Sequence, residues 1–591
     1  MTNTGVAIRY GDVAPGAKEN FFANATESQY NSLSQLQINN INFPNYANPC
    51  ELYSVVLDGR ASVLPSNPEV AAVGLWSVQL SQGNGQFGTP IVLTLESDGQ
   101  YSSQGLTFTF DTDNNIHPTR MNIQWIRTTS AGIETLATKE FYPDSAFYYC
   151  QNQVVNYNKL VITFYSLNMP HNRLKMRTID YGYGTFFEGD ELRSVQISQS
   201  IDPVSSEIKI NTCDFTLDSK CNIEYSFQDK QPLSIYFNGK LRATSFVSSA
   251  TRKSKTLWSV KSEDYIGLMN DVTFYGDVYE NKNAYELLTE IFDAAKVPYD
   301  INSELNNVYV SGYIPITNCR TALMHVAFAT QNIVDTSESD VVRVCRLMSS
   351  VSDVIPSRRI LQGQNFSESA TVTGVELTVH TYEPTQAYAD NGEIIRENAV
   401  VAYNAIEDGV GNNVLVKFDE PLHSLYSLNE GEILHSTANY AIVNATSSNF
   451  RVIGFKYNHT TQTKRKTRAD INVATAENVK KITSSTLVTV TNADNVLNSC
   501  FDWLTKTNSV CMSIVEGKNV EYGDTIKWGQ RKWGSFKWGE KAPDVVTYDS
   551  TINVGDHIQS ETEYMGLVDG VITSQSYALN GNILVKKVGL K

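Results

Sequence analysis

The sequence predicts a mainly β protein made of several domains. Its 591 residues correspond to roughly four domains of about 150 residues each. Tyr and Phe, with 31 and 24 residues, supply most of the aromatic side chains and occur with β-branched residues in short alternating runs, which favours pleated sheet. Asn, Ser and Thr separate many of these runs as turn residues do. The hydrophobic fraction of 41% is typical of a globular chain.

The formal net charge of −16 restricts the partners that the chain can have. A general nucleic-acid-binding protein needs clustered Lys and Arg to displace counterions from phosphate, so this class is excluded. The acidity either serves solubility or lines a passage that repels DNA and does not retain it.

No targeting segment, membrane span or metal site is predicted. Residues 1–20 lack the basic start and apolar run of an export signal. No stretch approaches the ~18 uninterrupted apolar residues of a membrane span. The eight cysteines contain no C-x-x-C pair, so we expect reduced and mostly buried thiols, with no structural zinc and no cofactor.

The first 178 residues divide into an arm and a sandwich. Residues 1–35 are polar with little periodicity and predict an N-terminal arm, ordered only where a partner or neighbouring domain holds it. Residues 36–178 contain short strands separated by turns, as in a β-sandwich. They resemble a jelly-roll module of the discoidin or carbohydrate-binding type at residues 74–77 (GLWS), 105–111 (GLTFTFD) and 159–164 (KLVITF).

Two tryptophans of this sandwich are candidate ligand or partner contacts. Modules of this type often bind glycans or proteins, and Trp76 and Trp125 would supply stacking platforms. The alternative is that both rings are buried, because their strands alternate as core strands do.

The rest of the chain divides into five further segments. Residues 179–263 predict a second β unit, with Asn238 and Gly239 as a hairpin turn. Residues 264–350 predict an α+β domain, because 283–296 and 319–330 carry apolar residues at helical spacing. The segments that follow are a linker, a β domain, and a C-terminal helix with closing strands, at residues 351–370, 371–460 and 461–591.

Three stretches of the second β unit, residues 191–218, 231–236 and 258–268, resemble the first tube-type barrel of phage tail hub proteins. The shared order is a strand holding S-I-D-P, an I-N-T-x-x-F-T-L strand, a Q-P-L strand, and a strand entering D-Y-I-G-L-M. Residues 312–344 resemble the α+β unit that those proteins place beside the barrel. Residues 372–591 resemble the family more loosely.

The resemblance implies two tube-type β-barrels in each subunit and a homotrimer that imitates a six-fold ring. Residues 186–219 and 553–590 would then be pieces of two different barrels. Such a hub joins the hexameric tail tube to the three-fold tip and lets DNA pass without binding it specifically. Its partners are the tail tube protein, distal tail or baseplate proteins and the tip or spike protein. Its location is the virion, after assembly in the bacterial host cytoplasm.

Two alternatives come from other functional classes. The chain could be a receptor-binding tail protein or adhesin that binds host-surface glycans through the N-terminal sandwich. It could also be a cell-wall hydrolase, but no Asp or Glu stands in an aromatic, substrate-like motif. The eight histidines form no H-E-x-x-H pair. No catalytic residue is therefore named, and the sequence predicts a protein that is not an enzyme.

Two motifs with Lys or Arg keep two interpretations each. K-W-G repeats every five residues and carries Trp528, Trp533 and Trp538, which either fold a short irregular hairpin or form an exposed partner contact. The basic run at residues 464–468 is either solvated or paired with another domain, or it contacts an acidic neighbour.

Overall fold

The computed structural model divides the chain into two compact units. The N-terminal unit contains Gly5–Glu188 and Gln231–Lys240, and the larger unit is made mainly of Gly189–Lys230 and Leu241–Lys591. The structure describes residues 6–14, 16–26, 74–129, 132–188, 191–218, 229–237, 240–347, 350–355, 363–389, 392–470, 477–515, 552–562, 566–580 and 583–591, with the short pieces 33, 36, 46–47, 51, 62–63, 227 and 360–361.

The N-terminal unit is built almost entirely from strands. Its elements are β1 (Val6–Val13), α1 (Ala17–Asn20), β2 (Phe22–Ala25), β3 (Tyr46–Ala47), β4 (Ser62–Val63), β5 (Leu75–Trp76), β6 (Gln86–Phe110), β7 (Pro118–Thr129), β8 (Gly132–Phe141), β9 (Phe147–Leu167), β10 (Lys175–Asp180), β11 (Gly182–Glu188) and, from later in the chain, β14 (Pro232–Phe237).

The main sheet of this unit has the strand order β5-β10-β6-β9-β7-β8, with β2 also paired to β6. Strands β6 and β9 are 25 and 21 residues long and pair antiparallel along most of their length. Alternate residues on these strands enter one core, among them Leu93, Leu95, Phe108, Ile162 and Phe164. The alternation seen in the sequence therefore buries one face of the sheet.

The segment predicted to be an arm contributes β1, which pairs with both β11 and β14. Arg9 and Lys18 both form ion pairs with Asp180. Burial raises the pKa of the Asp180 carboxyl, but Lys18 and Arg9 together outweigh burial and hold that pKa below its usual value. Neighbouring strands and a buried charge cluster thus hold these residues.

The first part of the larger unit contains strands, three of the helices and a short 3-10 helix. Its elements are β12 (Leu192–Ser200), β13 (Thr212–Asp218), β15 (Lys240–Arg252), β16 (Leu257–Glu263), α2 (Tyr265–Asn270), β17 (Thr273–Phe274), β18 (Val278–Asn283), α3 (Ala284–Ala295), β19 (Tyr299–Ile301), the 3-10 helix Ser303–Asn307, β20 (Tyr309–Tyr313), β21 (Thr317–Asn318), α4 (Cys319–Thr330), β22 (Ile333–Asp335) and β23 (Val342–Cys345).

The second part of the larger unit is mostly strands. Its elements are β24 (Asp353–Ile355), β25 (Asn365–Glu368), β26 (Gly374–Pro384), β27 (Ala399–Asn404), α5 (Ala405–Asp408), β28 (Gly411–Lys417), β29 (Leu422–Leu428), β30 (Glu432–Ser436), β31 (Tyr440–Ala445), β32 (Arg451–Thr467), β33 (Val479–Ile482), α6 (Ala493–Leu504), β34 (Asn508–Val515), β35 (His557–Thr562), β36 (Gly566–Asn580) and β37 (Ile583–Leu590).

The main sheet of the larger unit joins strands from both ends of that unit. Its order is β15-β16-β13-β12-β36-β37-β34-β25, with β35 beside β36 and β24 beside β35. Strands β12 and β36 pair antiparallel from Ser194↔Asn580 to Ser200↔Ser574. Because β36 is 15 residues long, it pairs with β35 along its first half and with β12 along its second.

The structure confirms the predicted mainly β fold but corrects the expectation of two closed tube-type barrels. The fold is mainly β and has many sheets. No sheet among the described strands closes into a barrel, so the two tube-type barrels are not found as closed structures in this part of the chain. The two β segments expected in different barrels instead contribute neighbouring strands to one sheet.

Helices α3 and α4 form the centre of the α+β region. The side chain of Asn283 accepts hydrogen bonds at the start of α3, and that of Asn318 does so at the start of α4. Leu287, Leu288 and Ile291 on α3 are fully buried, as their helical spacing predicts. Among the described residues, no helix has the length and apolar character needed to span a membrane.

Two sheets make up most of residues 374–482. The larger has the order β27-β32-β26-β33, with β29 also paired to β32. The smaller has the order β28-β31-β30, and we call it the outer sheet. One face of the outer sheet packs into a small core with Tyr403, Phe450 and Val452.

Candidate assembly sites

A buried polar network lies where distant parts of the larger unit meet. The Glu338 carboxylate accepts hydrogen bonds from Arg242 Nη1 and Tyr577 Oη, each at 2.6 Å. Lys586 Nζ lies 4.0 Å from the same carboxylate oxygen and donates to the Ile552 carbonyl at 2.6 Å. The Lys586 side chain is fully buried. We call Arg242, Glu338, Tyr577 and Lys586 the Glu338 network.

The network extends to the junction of β12 and β36. Gln199 Nε2 donates to the backbone carbonyl of Arg242 at 3.0 Å, and Gln575 Nε2 donates to Gln199 Oε1 at 2.7 Å. A buried charge that loses its partner costs several kcal/mol, so these contacts strongly favour the observed strand pairing. These contacts therefore have a structural role, which is to hold β12 and β36 together.

Three histidines far apart in the sequence lie close together at the joint between the α+β region and the larger sheet of residues 374–482. His380 Nδ1 and His459 Nε2 are 3.0 Å apart, and the Tyr382 ring stacks on His459 at a centroid distance of 4.3 Å. The Thr486 backbone N–H donates to His325 Nδ1 at 3.2 Å. Burial, and secondarily the charge of His380, lowers the pKa of His325 to about 4.

Sequence reasoning missed this histidine group, because 78 residues separate His380 from His459 and only the pairing of β26 with β32 brings them together. In the part of the chain that the structure describes, no three or more His, Cys, Asp or Glu side chains are arranged to hold a metal ion.

The outer sheet presents apolar side chains on the face opposite its core. Val414, Val443 and Ile433 are paired across the three strands and pack inward. Leu415 is one residue further along β28, so it lies on the other face, where its side chain is 43% exposed. Strands β28 and β30 each pair only with β31 among the described strands, so each presents an edge.

Large exposed apolar side chains are frequent in residues 388–434, the stretch that includes strands β28 and β30 of the outer sheet. Eight large ones lie between residues 388 and 434: Tyr388, Ile394, Val401, Ile406, Val410, Leu415, Leu428 and Leu434. Residues 405–434 also carry six carboxylates and one lysine. Exposed apolar side chains next to charged residues are typical of a protein contact, and the charged residues of this stretch are mostly acidic.

The structure places both candidate tryptophans of the N-terminal unit in its interior. Trp125 is fully buried and packs edge-on against Phe141 at a centroid distance of 6.3 Å. Trp76 is 5% exposed, with Lys175 Nζ 4.7 Å from its ring centroid. Neither ring offers an open face for stacking. The other candidate contacts, Trp528, Trp533 and Trp538, lie outside the described residues.

The basic run lies on β32 and is paired within the larger unit. Lys464 Nζ is 2.8 Å from Asp494 Oδ1 on α6, and Lys466 Nζ is 2.8 Å from Asn498 Oδ1 on the same helix. Arg465 forms an ion pair with Glu477. The basic run is therefore paired with other elements of its own chain. This agrees with the interpretation that the run is solvated or paired within the chain.

Comparison with protein-family models and with curated proteins finds no match. Among solved structures, the chain is similar to a tail protein from Neisseria meningitidis MC58 at 10% identity and a TM-score of 0.39, covering 68% of this chain and 93% of that one. It is similar to the 43 kDa tail protein of prophage MuSo2 from Shewanella oneidensis at 9% identity and a TM-score of 0.39, covering 69% and 95%. It is also similar to the prophage tail protein gp18 from Listeria monocytogenes EGD-e at 10% identity and a TM-score of 0.34, covering 68% and 91%. All three are tail proteins, two of them from prophages.

Proposed function

We propose that the chain is a structural hub of a phage or phage-derived tail tip or baseplate. The exposed apolar surface of the outer sheet, flanked by strand edges, is the observation that carries an assembly role. Such edges and surfaces are costly to leave uncovered, because they pair readily with other chains. A subunit that is built into a larger particle has a partner to cover them.

The hub assignment is supported by the segments that carry the sequence resemblance. The S-I-D-P segment begins at the last residue of β12, most of the I-N-T-x-x-F-T-L segment lies in β13, and the strand leading into D-Y-I-G-L-M is β16, followed by α2. Strand β13 lies between β12 and β16, so these three segments are neighbours in space.

The proposed assembly is a homotrimer that imitates a six-fold ring and joins the tail tube to the tip. Its partners are the tail tube protein, distal tail or baseplate proteins and the tip or spike protein, and its location is the virion after assembly in the host cytoplasm. DNA passes through the ring without specific binding, and the net charge of −16 supports a wall that does not retain a polyanion. The role needs no catalysis.

Mass photometry of the purified chain over a concentration series, followed by cryo-EM of the largest species, tests the proposal. We expect trimeric rings with an acidic inner wall. The double variant Leu415→Lys, Leu434→Lys should remain monomeric, whereas Leu567→Lys, the same change at another exposed leucine, should assemble normally. A chain that stays monomeric at every concentration and with its tube partner would contradict the hub. A basic inner wall would contradict DNA passage.

A further inference from the structure

The interior of the larger unit brings a lysine amine, an asparagine carboxamide and a carboxylate together within the Glu338 network. Lys586 on β37 is fully buried, and its Nζ donates to the Ile552 carbonyl oxygen at 2.6 Å. The Asn553 carboxamide, with its nitrogen turned towards Glu338, lies 3.1 Å from the same oxygen. The two nitrogens are therefore separated by no more than the sum of these distances. The proposed hub role does not use this arrangement.

Glu338 is the carboxylate that faces both of the other groups. Its Oε1 lies 4.0 Å from Lys586 Nζ, and the Asn553 nitrogen lies 3.0 Å from Oε1 and 2.8 Å from Oε2. Arg242 Nη1 and Tyr577 Oη each donate to Oε1 at 2.6 Å. Because these two donors fix the carboxylate, it stays directed at the lysine and the asparagine.

The backbone of Glu338 has a conformation that residues other than glycine rarely adopt. Its φ is 49°, in the left-handed region, in the turn between β22 and β23. Such a conformation persists only where the surrounding structure fixes it, and it is frequent at functional sites. The Glu338 backbone N–H donates to the Arg242 carbonyl at 3.3 Å, and the Glu338 side chain is 12% exposed. Contacts at both backbone and side chain thus hold the carboxylate in the interior.

The carboxamide is also held in place and shielded from water. The Asn553 backbone N–H donates to Asp556 Oδ2 at 2.7 Å, and the neighbouring Ile552 side chain is buried. On the lysine side, Nζ of Lys586 lies 4.9 Å from the centroid of the Tyr577 ring. Apolar and aromatic groups around an amine exclude water, which would otherwise compete for the carboxamide carbon.

We propose that Lys586 and Asn553 join in an intramolecular amide bond, with Glu338 as the catalytic residue. Glu338 accepts a proton from the Lys586 ammonium group, and the neutral amine attacks Asn553 Cγ. The bond between Cγ and the lysine nitrogen forms, and the bond between Cγ and the amide nitrogen breaks. The lysine nitrogen loses two protons, which Glu338 carries to the departing nitrogen, so that it leaves as ammonium. The step needs no oxidant, reductant or further reactant.

The bond would cross-link β37 to the segment that precedes β35. It closes a loop that contains β35 and β36, and a cross-link of this kind stabilises a fold mainly by reducing the entropy of the unfolded chain. The inference concerns the interior of one chain and does not require the hub role.

Mass spectrometry of the intact, purified full chain tests the proposal. We expect a mass about 17 Da below that of the unmodified sequence, because one ammonia is lost. Tryptic digestion followed by tandem mass spectrometry should give a branched peptide in which Lys586 is joined to Asn553.

Four variants assign the roles. Lys586→Arg keeps the positive charge but has no amine, and Asn553→Ala removes the carboxamide, so both should have the full mass of their sequences. Glu338→Gln should also be recovered at full mass, because glutamine cannot carry the protons. Lys587→Arg, the same change at the next and exposed residue of β37, is the control and should keep the deficit.

Circular dichroism of each variant checks that it folds, and Asn553→Ala keeps the test valid if Lys586→Arg does not. The proposal is overturned if folded wild-type protein has the full mass, or if the deficit persists in Lys586→Arg or Asn553→Ala. A deficit without the branched peptide would also overturn it, because an asparagine that cyclises to a succinimide loses ammonia as well. A link that forms in Glu338→Gln as in wild type would overturn the catalytic role of Glu338.

Discussion

The Glu338 network and the outer sheet are two regions of the same unit with opposite chemistry. The network holds charged groups in the interior, each matched by a partner, whereas the outer sheet holds apolar groups at the surface. Charges are buried only where geometry is fixed, and apolar side chains are left exposed mainly where another molecule covers them. The network therefore serves the fold of one chain, and the outer sheet is the surface that the proposed assembly would use for contact between chains.

The largest expected effect in this comparison is at the network. Glu338→Ala leaves Arg242 and Lys586 buried without their carboxylate, and we expect it to reduce the free energy of unfolding by about 3–5 kcal/mol. Urea denaturation followed by circular dichroism measures this change. Glu432→Ala, on the exposed side of the outer sheet, is the control and should change stability by less than about 0.5 kcal/mol. Equal losses of stability in the two variants would show that the Glu338 network does not stabilise the fold more than the outer sheet's exposed charges do.

The second effect is a dependence of the free energy of unfolding on pH, which comes from the buried side chain of His325. The pKa of His325 is about 4 in the folded state and about 6.5 in the unfolded state, so the unfolded state takes up the proton first as pH falls. This contributes a loss of stability of about 3 kcal/mol between pH 6.5 and 4. His325→Asn should remove that loss, as measured by urea denaturation at several pH values.

Asp264 gives the control of opposite sign. Burial raises its pKa to about 6, so the folded state takes up this proton first and stability is gained as pH falls from 6 towards 4. Asp264→Asn should make the loss of stability at low pH steeper, whereas His325→Asn should make it shallower. The same slope in both variants would contradict these assignments.

The third effect compares the two faces of the outer sheet directly. Val443→Ala removes buried methyl groups and should cost about 2 kcal/mol, whereas Leu415→Ala on the exposed face should cost less than about 0.5 kcal/mol. Thermal unfolding separates the two. For assembly the order should reverse, with Leu415→Ala weakening self-association more than Val443→Ala does. A large stability loss in Leu415→Ala would mean that its side chain packs within its own chain.

The smallest effect is expected at the basic run. Lys464 and Asp494 form a partly exposed ion pair at 2.8 Å, so Lys464→Ala should change the unfolding free energy by about 0.5 kcal/mol or less. Addition of 1 M salt should abolish the difference from wild type. A loss above about 2 kcal/mol would indicate that the run belongs to the interior.

Local patterns predicted local structure well in this chain. Alternation predicted strands around Phe108 and Phe164, although the structure joins the expected short strands into β6 and β9, and helical spacing with an Asn cap predicted α3. Pairing between distant segments was not predictable, because either segment of residues 186–219 and 553–590 could pair with many partners. The side chains that select the observed pair, including Gln199 and Gln575, look like ordinary surface residues in the sequence.

The candidate sites show the same limit. The sequence left Trp76 and Trp125 either as contacts for a ligand or partner or as core residues, and only the packed sheet shows that both rings are interior. The outer sheet gave no signal, because Leu415 and Val414 look equivalent until the strand pairing assigns them to opposite faces. Glu338 is one of 63 acidic residues, and its role depends on partners more than 90 positions away.

Hydrogen–deuterium exchange of the isolated and assembled protein tests the distinction between the two regions most directly. In the isolated subunit, we expect slow exchange at β12 and β36 and fast exchange at the edges of β28 and β30. Assembly should add protection at β28 and β30 and leave β12 and β36 unchanged. Protection that appears at β12 and β36 on assembly, with β28 and β30 unchanged, would contradict the account, because the joint would then be the surface between chains.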